Sequence, residues 1–233
     1  MIAENLAIVR EKINNAIKKR QGDNKNEDVI LVAVTKNHDE REMREAIDNG
    51  IDIIGENRVQ EAAKKYESLE RNVSWHLIGH LQTNKVKQAV RMFELIHSVD
   101  SEHLLTAVND AAAKIHKVQD ILIQVNLAKE ESKFGVFKED LPFLIQKADM
   151  LGNVHLRGLM CIAPNFDDVN DARPLFREMN EIFSKLKMFP MMKSEMKYLS
   201  MGMTHDYEIA IEEGANIVRI GTAIFGPRDY GKE

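Results

Sequence analysis

The chain has 233 residues, 44% hydrophobic and 30% charged, a balance that supports a real core and excludes disordered and fibrous classes. At about 150 residues per domain, this length holds one large domain or two small ones. The net charge of −5 argues against nucleic acid as the main partner.

Cys161 is the only cysteine, which excludes an intrachain disulfide and a thiolate metal cluster and points to a reducing compartment. No apolar run approaches the length of a membrane span, and the first residues lack the order of a secretion signal. The expectation is a soluble, cytoplasmic protein with no membrane partner.

Ile2, Leu6, Val9, Ile13 and Ile17 recur every three or four residues, which predicts an N-terminal helix with one apolar stripe. Residues 21–28 are polar and read as a helix stop and loop. Residues 29–34 (VILVAV) are a short β-branched apolar run, the form of a strand buried on both faces of a parallel sheet, and the run ends at Thr35 and Lys36. A helix over 39–49 follows, closed by Gly50 at its C-terminal cap, and 51–54 makes a second strand. Further strands are predicted at 74–78, 95–99, 121–125, 155–160, 198–200 and 217–220. Helical spacing fills 58–69, 84–91, 102–117, 139–151, 172–186 and 205–213.

Eight strands separated by seven helices imply right-handed crossovers and a parallel sheet. At this length the pattern fits an α/β fold, a single (β/α)8 TIM-type barrel with an extra N-terminal helix, as one domain over residues 1–233. An open doubly wound sheet is the alternative, and it turns on the short strand at 198–200 and the helix at 84–91.

In such a barrel the chemistry sits just after the strands. Lys36 follows the first strand, where a desolvated lysine can attack an aldehyde to form a Schiff base; the plainer reading is a solvated lysine. The loops after strands seven and eight are the common phosphate site of barrels. Ser200 offers a hydroxyl there, and Gly202, Gly221 and Thr222 offer backbone N–H groups open to an anion. Arg219 lies within an apolar run, so its charge needs either a carboxylate between strand and helix or a ligand. An amine, a phosphate site and a cation in one mouth describe pyridoxal 5′-phosphate.

The stretches LVAVTK (31–36), GENRVQE (55–61), WHLIGHLQTNK (75–85), LSMGMTHD (199–206) and VRIGTAIFG (218–226) resemble the pyridoxal-phosphate homeostasis proteins, the YggS/PROSC family. The likeness runs from about Asn5 to Pro227. It implies a barrel similar to the N-terminal domain of alanine racemase, with pyridoxal phosphate bound covalently and without well-established turnover. By the resemblance Lys36 is the Schiff-base lysine and Arg219 faces the pyridine nitrogen. Ser200, Gly221 and Thr222 cradle the phosphate, while Asn57 and His80 line the pocket. Thr204 stands where the motif more often has serine, and either residue can cap the following helix.

An arginine does not readily protonate the pyridine nitrogen, which leaves the ring a weak electron sink, and the chain as read to Glu233 has no second domain to supply a racemase's opposing base. A pyridoxal phosphate buffer or carrier, perhaps delivering to apo-enzymes, is therefore the expected function and a monomer the expected state. A single-domain racemase with His80 as the second acid/base, and a Schiff-base aldolase without the cofactor, are the alternatives.

His76 and His80 stand four apart but on a strand and its turn, so no metal is expected. Cys161 reads as core. Lys85, Lys87 and Arg91 read as a solvated basic face, with contact to an anionic metabolite the alternative. The loop at 129–135 has the charge and glycine of a mobile mouth loop, with Lys133 a second amine for transient cofactor capture.

Overall fold

A computed structural model describes residues 1–21, 25, 27–130 and 133–227. Eight parallel strands close into a barrel in sequence order: β1 (Ile30–Val34), β2 (Ile53–Glu56), β3 (Ser74–Leu77), β4 (Leu95–Val99), β5 (Gln119–Val125), β6 (Val154–Cys161), β7 (Tyr198–Met203) and β8 (Ile217–Ile220). Around them run α1 (Ile2–Lys19), α2 (Glu40–Asp48), α3 (Val59–Ser68), α4 (Val86–Met92), α5 (Glu102–Ala113), α6 (Leu141–Met150), α7 (Arg173–Lys187), α8 (Tyr207–Glu212) and α9 (Thr222–Phe225). The predicted closed barrel is the observed one, and the open sheet is excluded by the pairing of β1 with β8, Ala33 opposite Ile220. Among the described residues, no helix is long and apolar enough to cross a membrane.

The strands alternate between two cores. Val32, Leu95, Leu122, Met160 and Ile217 fill the barrel interior, while the opposite faces join the helices in the outer core. Successive residues of one strand serve different layers, which is why the strands read as continuous apolar runs.

The extra N-terminal helix packs against α2, α8 and α9. Ile2, Leu6, Val9 and Ile13 are buried along its predicted stripe, each worth about 1.5–3 kcal/mol relative to exposure. At its end the Arg20 side chain is buried and donates to the carbonyls of Ile211 and Ala215, tying α1 to the turn between α8 and β8. Part of the predicted 21–28 loop lies outside the described residues.

Several boundaries differ from expectation. The second strand starts two residues later than predicted, because Ile51 completes the end of α2: Gly50 (φ 83°) donates to Ile47 O and Ile51 donates to Ala46 O, the two bonds of a Schellman closure. Gly55 and Glu56 therefore lie inside β2 rather than beyond it. The helix expected over 84–91 is a 3-10 turn (Thr83–Lys85) followed by α4. The seventh strand continues to Met203 through a register shift between Ser200 and Met203. Helix α9 was not anticipated, since four residues carry no periodicity.

Candidate functional site

The mouth at the strand C-termini has two sides. On the first, β7, β1 and β8 are neighbours. Lys36 stands half-buried two residues past β1. Gly221 closes β8 so tightly against β1 that a Cβ built on it would lie 3.3 Å from Val34 O. The Gly221 N–H donates to Thr204 Oγ1 at 3.3 Å, which joins the loops after β7 and β8. Thr222, beside them, is exposed and opens α9.

Below this rim lies a buried polar chain. Arg219 shares the inward face of β8 with Ile217, is 3% exposed, and donates to Ser200 Oγ at 2.7 Å and to Cys161 O at 3.0 Å. The side chain thus points into the barrel, and its bonded partners are a hydroxyl and a carbonyl; the carboxylate partner between strand and helix is not what the structure contains. Ser200 Oγ also meets His97 Nδ1 at 2.9 Å, and His97 Nε2 meets His76 Nδ1 at 3.0 Å.

Arginine only donates, so Ser200 Oγ accepts from Arg219. The Ser200 proton finds a partner when it goes to His97 Nδ1, an arrangement in which His97 is the Nε2–H tautomer and donates to His76. Both rings are neutral. Burial pushes His76 down to about 4, and burial, His76 and the Arg219 charge push His97 well below the usual histidine range. Burial also holds the Asp206 carboxyl above its ordinary range; its Oδ1 accepts the Met203 N–H at 2.6 Å.

These contacts revise two expectations. Ser200 is fully buried with its hydroxyl committed to Arg219 and His97, so it lies inside the barrel rather than in the rim loop. Gly202 (φ 94°) turns its missing side chain toward α8, where a Cβ would fall 2.6 Å from Ala210 Cβ; its bareness serves packing and the bulge rather than approach to an anion. Thr204 takes the rim position instead. It does not cap the next helix, whose N-cap residue is Asp206. The signal was present in the spacing, since Thr204 follows the apolar run where Ser200 belongs to it, but the bulge that extends β7 has no local signature.

The second side of the mouth lies between the loops after β2 and β3, where Asn57 and His80 share a cavity of about 400 Å³ with Arg58 and Lys85. The loops approach so closely that a Cβ on Gly79 would lie 2.3 Å from Asn57 O. The His80 ring stacks on Phe134, with centroids 3.6 Å apart, and its Nδ1 lies 3.5 Å from Asp100 Oδ2. Lys87 and Arg91 lie exposed on α4. Lys133 Nζ pairs with Glu130 at 3.0 Å; the central part of its predicted loop lies outside the described residues. Cys161 closes β6 as a buried core residue.

Residues 5–229 match the family model of the alanine racemase N-terminal domain, the class of barrel that this fold defines. The chain belongs to the pyridoxal phosphate homeostasis protein family. It is 43% identical over 229 residues to the pyridoxal phosphate homeostasis protein of Aquifex aeolicus, covering 97% of this chain and 98% of that one. It is 38% identical to the protein of the same name from Escherichia coli K12, covering 100% and 99%. Among solved structures, PipY of Synechococcus elongatus PCC7942 superposes with a TM-score of 0.86 without PLP and 0.83 with PLP bound, at 35% identity over 97% of this chain and 100% of that one. A diaminopimelate decarboxylase from M. jannaschii shares the fold, with a TM-score of 0.73 at 15% identity, over 95% of this chain and 60% of its own.

Proposed function

We propose that this protein holds pyridoxal phosphate reversibly through Lys36 and acts in cytoplasmic pyridoxal phosphate homeostasis as a buffer or carrier. The names of its relatives and the PLP-bound PipY structure support the cofactor. The residues of the mouth fit it: an amine after β1, a bare Gly221 backbone packed closely on Val34, the Thr204 hydroxyl beside it, and a buried cation beneath. Bound there, pyridoxal phosphate supplies an aldehyde, to which the Lys36 amine adds with loss of one water, a condensation that water reverses.

In this reading Thr222 and Thr204 hold the phosphate while the Gly221 N–H fixes the Thr204 hydroxyl beside it, Thr204 replacing Ser200 and Gly202 in that role. Ser200 acts one step below, holding Arg219. Asn57 and His80 form the opposite wall.

The observation that carries the reading is Arg219. A guanidinium pinned by Ser200 and by Cys161 O remains charged and donates only, so it orients an acceptor nitrogen without protonating it. The cofactor ring stays a weak electron sink, which suits holding better than carbanion chemistry. Apo-enzymes that require pyridoxal phosphate are the proposed recipients, and a monomer is the proposed state.

Borohydride reduction of the loaded protein followed by mass spectrometry tests the assignment. The expected result is one cofactor mapped to Lys36, with Lys36→Ala unlabelled yet folded. A label elsewhere overturns it. Exchange of the α-proton of L-alanine in deuterated water at enzymatic rates would replace holding with racemase chemistry.

A further inference from the structure

Lys65 is a lysine in α3 that is only 7% exposed, and its ammonium spends its three protons on three acceptors: Thr35 O at 2.7 Å, Glu56 Oε1 at 2.8 Å and Glu61 Oε1 at 2.7 Å. Thr35 and Asn37 flank Lys36. The Asn37 N–H donates to the same Glu61 oxygen at 2.7 Å, and the Thr35 hydroxyl donates to the same Glu56 oxygen at 2.6 Å. The peptide on each side of Lys36 is therefore anchored to one buried ammonium, directly through the Thr35 carbonyl and by way of Glu61 through the Asn37 N–H.

A fold that needed only to bury this corner would fill it more cheaply with apolar side chains, since desolvating an ammonium and a carboxylate is expensive. The cost is visible in Glu56, which is fully buried, keeps Oε2 without a hydrogen-bond partner among the described residues, and shares the helix-facing side of β2 with Ile54. The backbone also leaves β1 through an unusual conformation, with Asn37 at φ 63° and His38 N–H returning to Thr35 O at 3.1 Å. Asparagine tolerates this region, and the ion cluster adds bonds to this stretch from α3 and β2.

We propose that Lys65 is a positioning residue for Lys36: by clamping Thr35 and, through Glu61, Asn37, it sets the direction from which the Lys36 amine meets the cofactor aldehyde. This inference rests on Lys36 being the residue that holds pyridoxal phosphate. Lys65 touches neither cofactor nor amine in this scheme; it acts through the backbone. The chemical step is the condensation already described, in which the nitrogen–carbon bond forms and the aldehyde oxygen leaves as water with the two amine protons.

The test separates capture from binding. Pyridoxine 5′-phosphate has the ring and phosphate but no aldehyde, so its affinity reports the pocket, whereas the rate at which pyridoxal phosphate becomes reducible by borohydride onto the protein reports the approach of Lys36. Lys65→Met breaks the whole clamp; Glu61→Ala frees only the Asn37 side and sits at a partly exposed position, so it keeps the test alive should Lys65→Met fold poorly. Glu61→Gln retains the acceptor oxygen. Capture slowing about tenfold or more in Lys65→Met and Glu61→Ala, with recovery in Glu61→Gln and pyridoxine phosphate affinity within about twofold of the parent protein, is the expected result. Parent-like capture in a folded Glu61→Ala variant overturns the clamp, as does a parallel loss of pyridoxine phosphate binding. Undiminished capture by Lys36→Ala, run alongside, would instead overturn the assignment of Lys36 itself.

Discussion

Thr204 Oγ1 accepts the Gly221 N–H across 3.3 Å, so the loops after β7 and β8 meet through one hydroxyl and one backbone amide. A serine or threonine at that point can turn its own proton outward while remaining fixed by the glycine, which is what a phosphate cradle requires.

The two hydroxyls of this region should therefore fail in different ways. Thr204→Val removes a donor to the phosphate and should weaken pyridoxal phosphate binding about tenfold or more, with no change for pyridoxal, which lacks the phosphate. Ser200→Ala leaves Arg219 and His97 each short of a partner inside the barrel and should lower the unfolding free energy by about 1–3 kcal/mol. Titration with the two vitamers and urea unfolding measure these effects, and the reverse pattern would restore Ser200 to the rim.

Arg219→Met keeps the aliphatic stem and removes the guanidinium. Stranding the Ser200 hydroxyl and the Cys161 carbonyl should cost about 1–3 kcal/mol each in stability, and cofactor affinity should fall in the folded fraction. Calorimetry of the variant, with and without pyridoxal phosphate, reads both; parent-like affinity would detach Arg219 from the cofactor.

Acid should destabilise the protein through its buried imidazoles. His76 is lowered to about 4 in the folded chain against an ordinary value of about 6.5, so between these values the unfolded chain binds more protons and stability falls as pH falls. The share of His76 is about 3 kcal/mol, present above pH 6.5 and lost by about pH 4. Glu56, whose carboxyl is raised by burial, works in the opposite sense as pH rises past its ordinary range. The comparison is accordingly between the parent and His76→Asn in urea unfolding at pH 7 and pH 4.5, where the variant should lose less. Equal losses would mean that His76 is not held neutral.

Cys161 should be inert. Burial pushes its thiol up to about 12, and only 1% of the residue is exposed. Iodoacetamide should label it only after denaturation; labelling of the native protein would place a reactive thiol beside Arg219.

The amino-acid sequence by itself determined the eight strands, their parallel order, the N-terminal helix and the residues that end β1 and β8, because those features are written in local periodicity and in glycine, lysine and arginine at run ends. Only the tertiary structure decided which hydroxyl serves the rim and which serves the interior. A register shift between Ser200 and Met203 carries β7 past Ser200, which leaves Ser200 inside the barrel and Thr204 at the rim, and Gly202 packs there against Tyr207 and Ala210 of α8. The chain of His76, His97, Ser200 and Arg219 was equally hidden, since it joins residues up to 143 positions apart from four strands that face one another only when the sheet closes. Local spacing records which face of a strand a residue takes; which residues meet across the barrel depends on closure and register, and these are properties of the whole sheet.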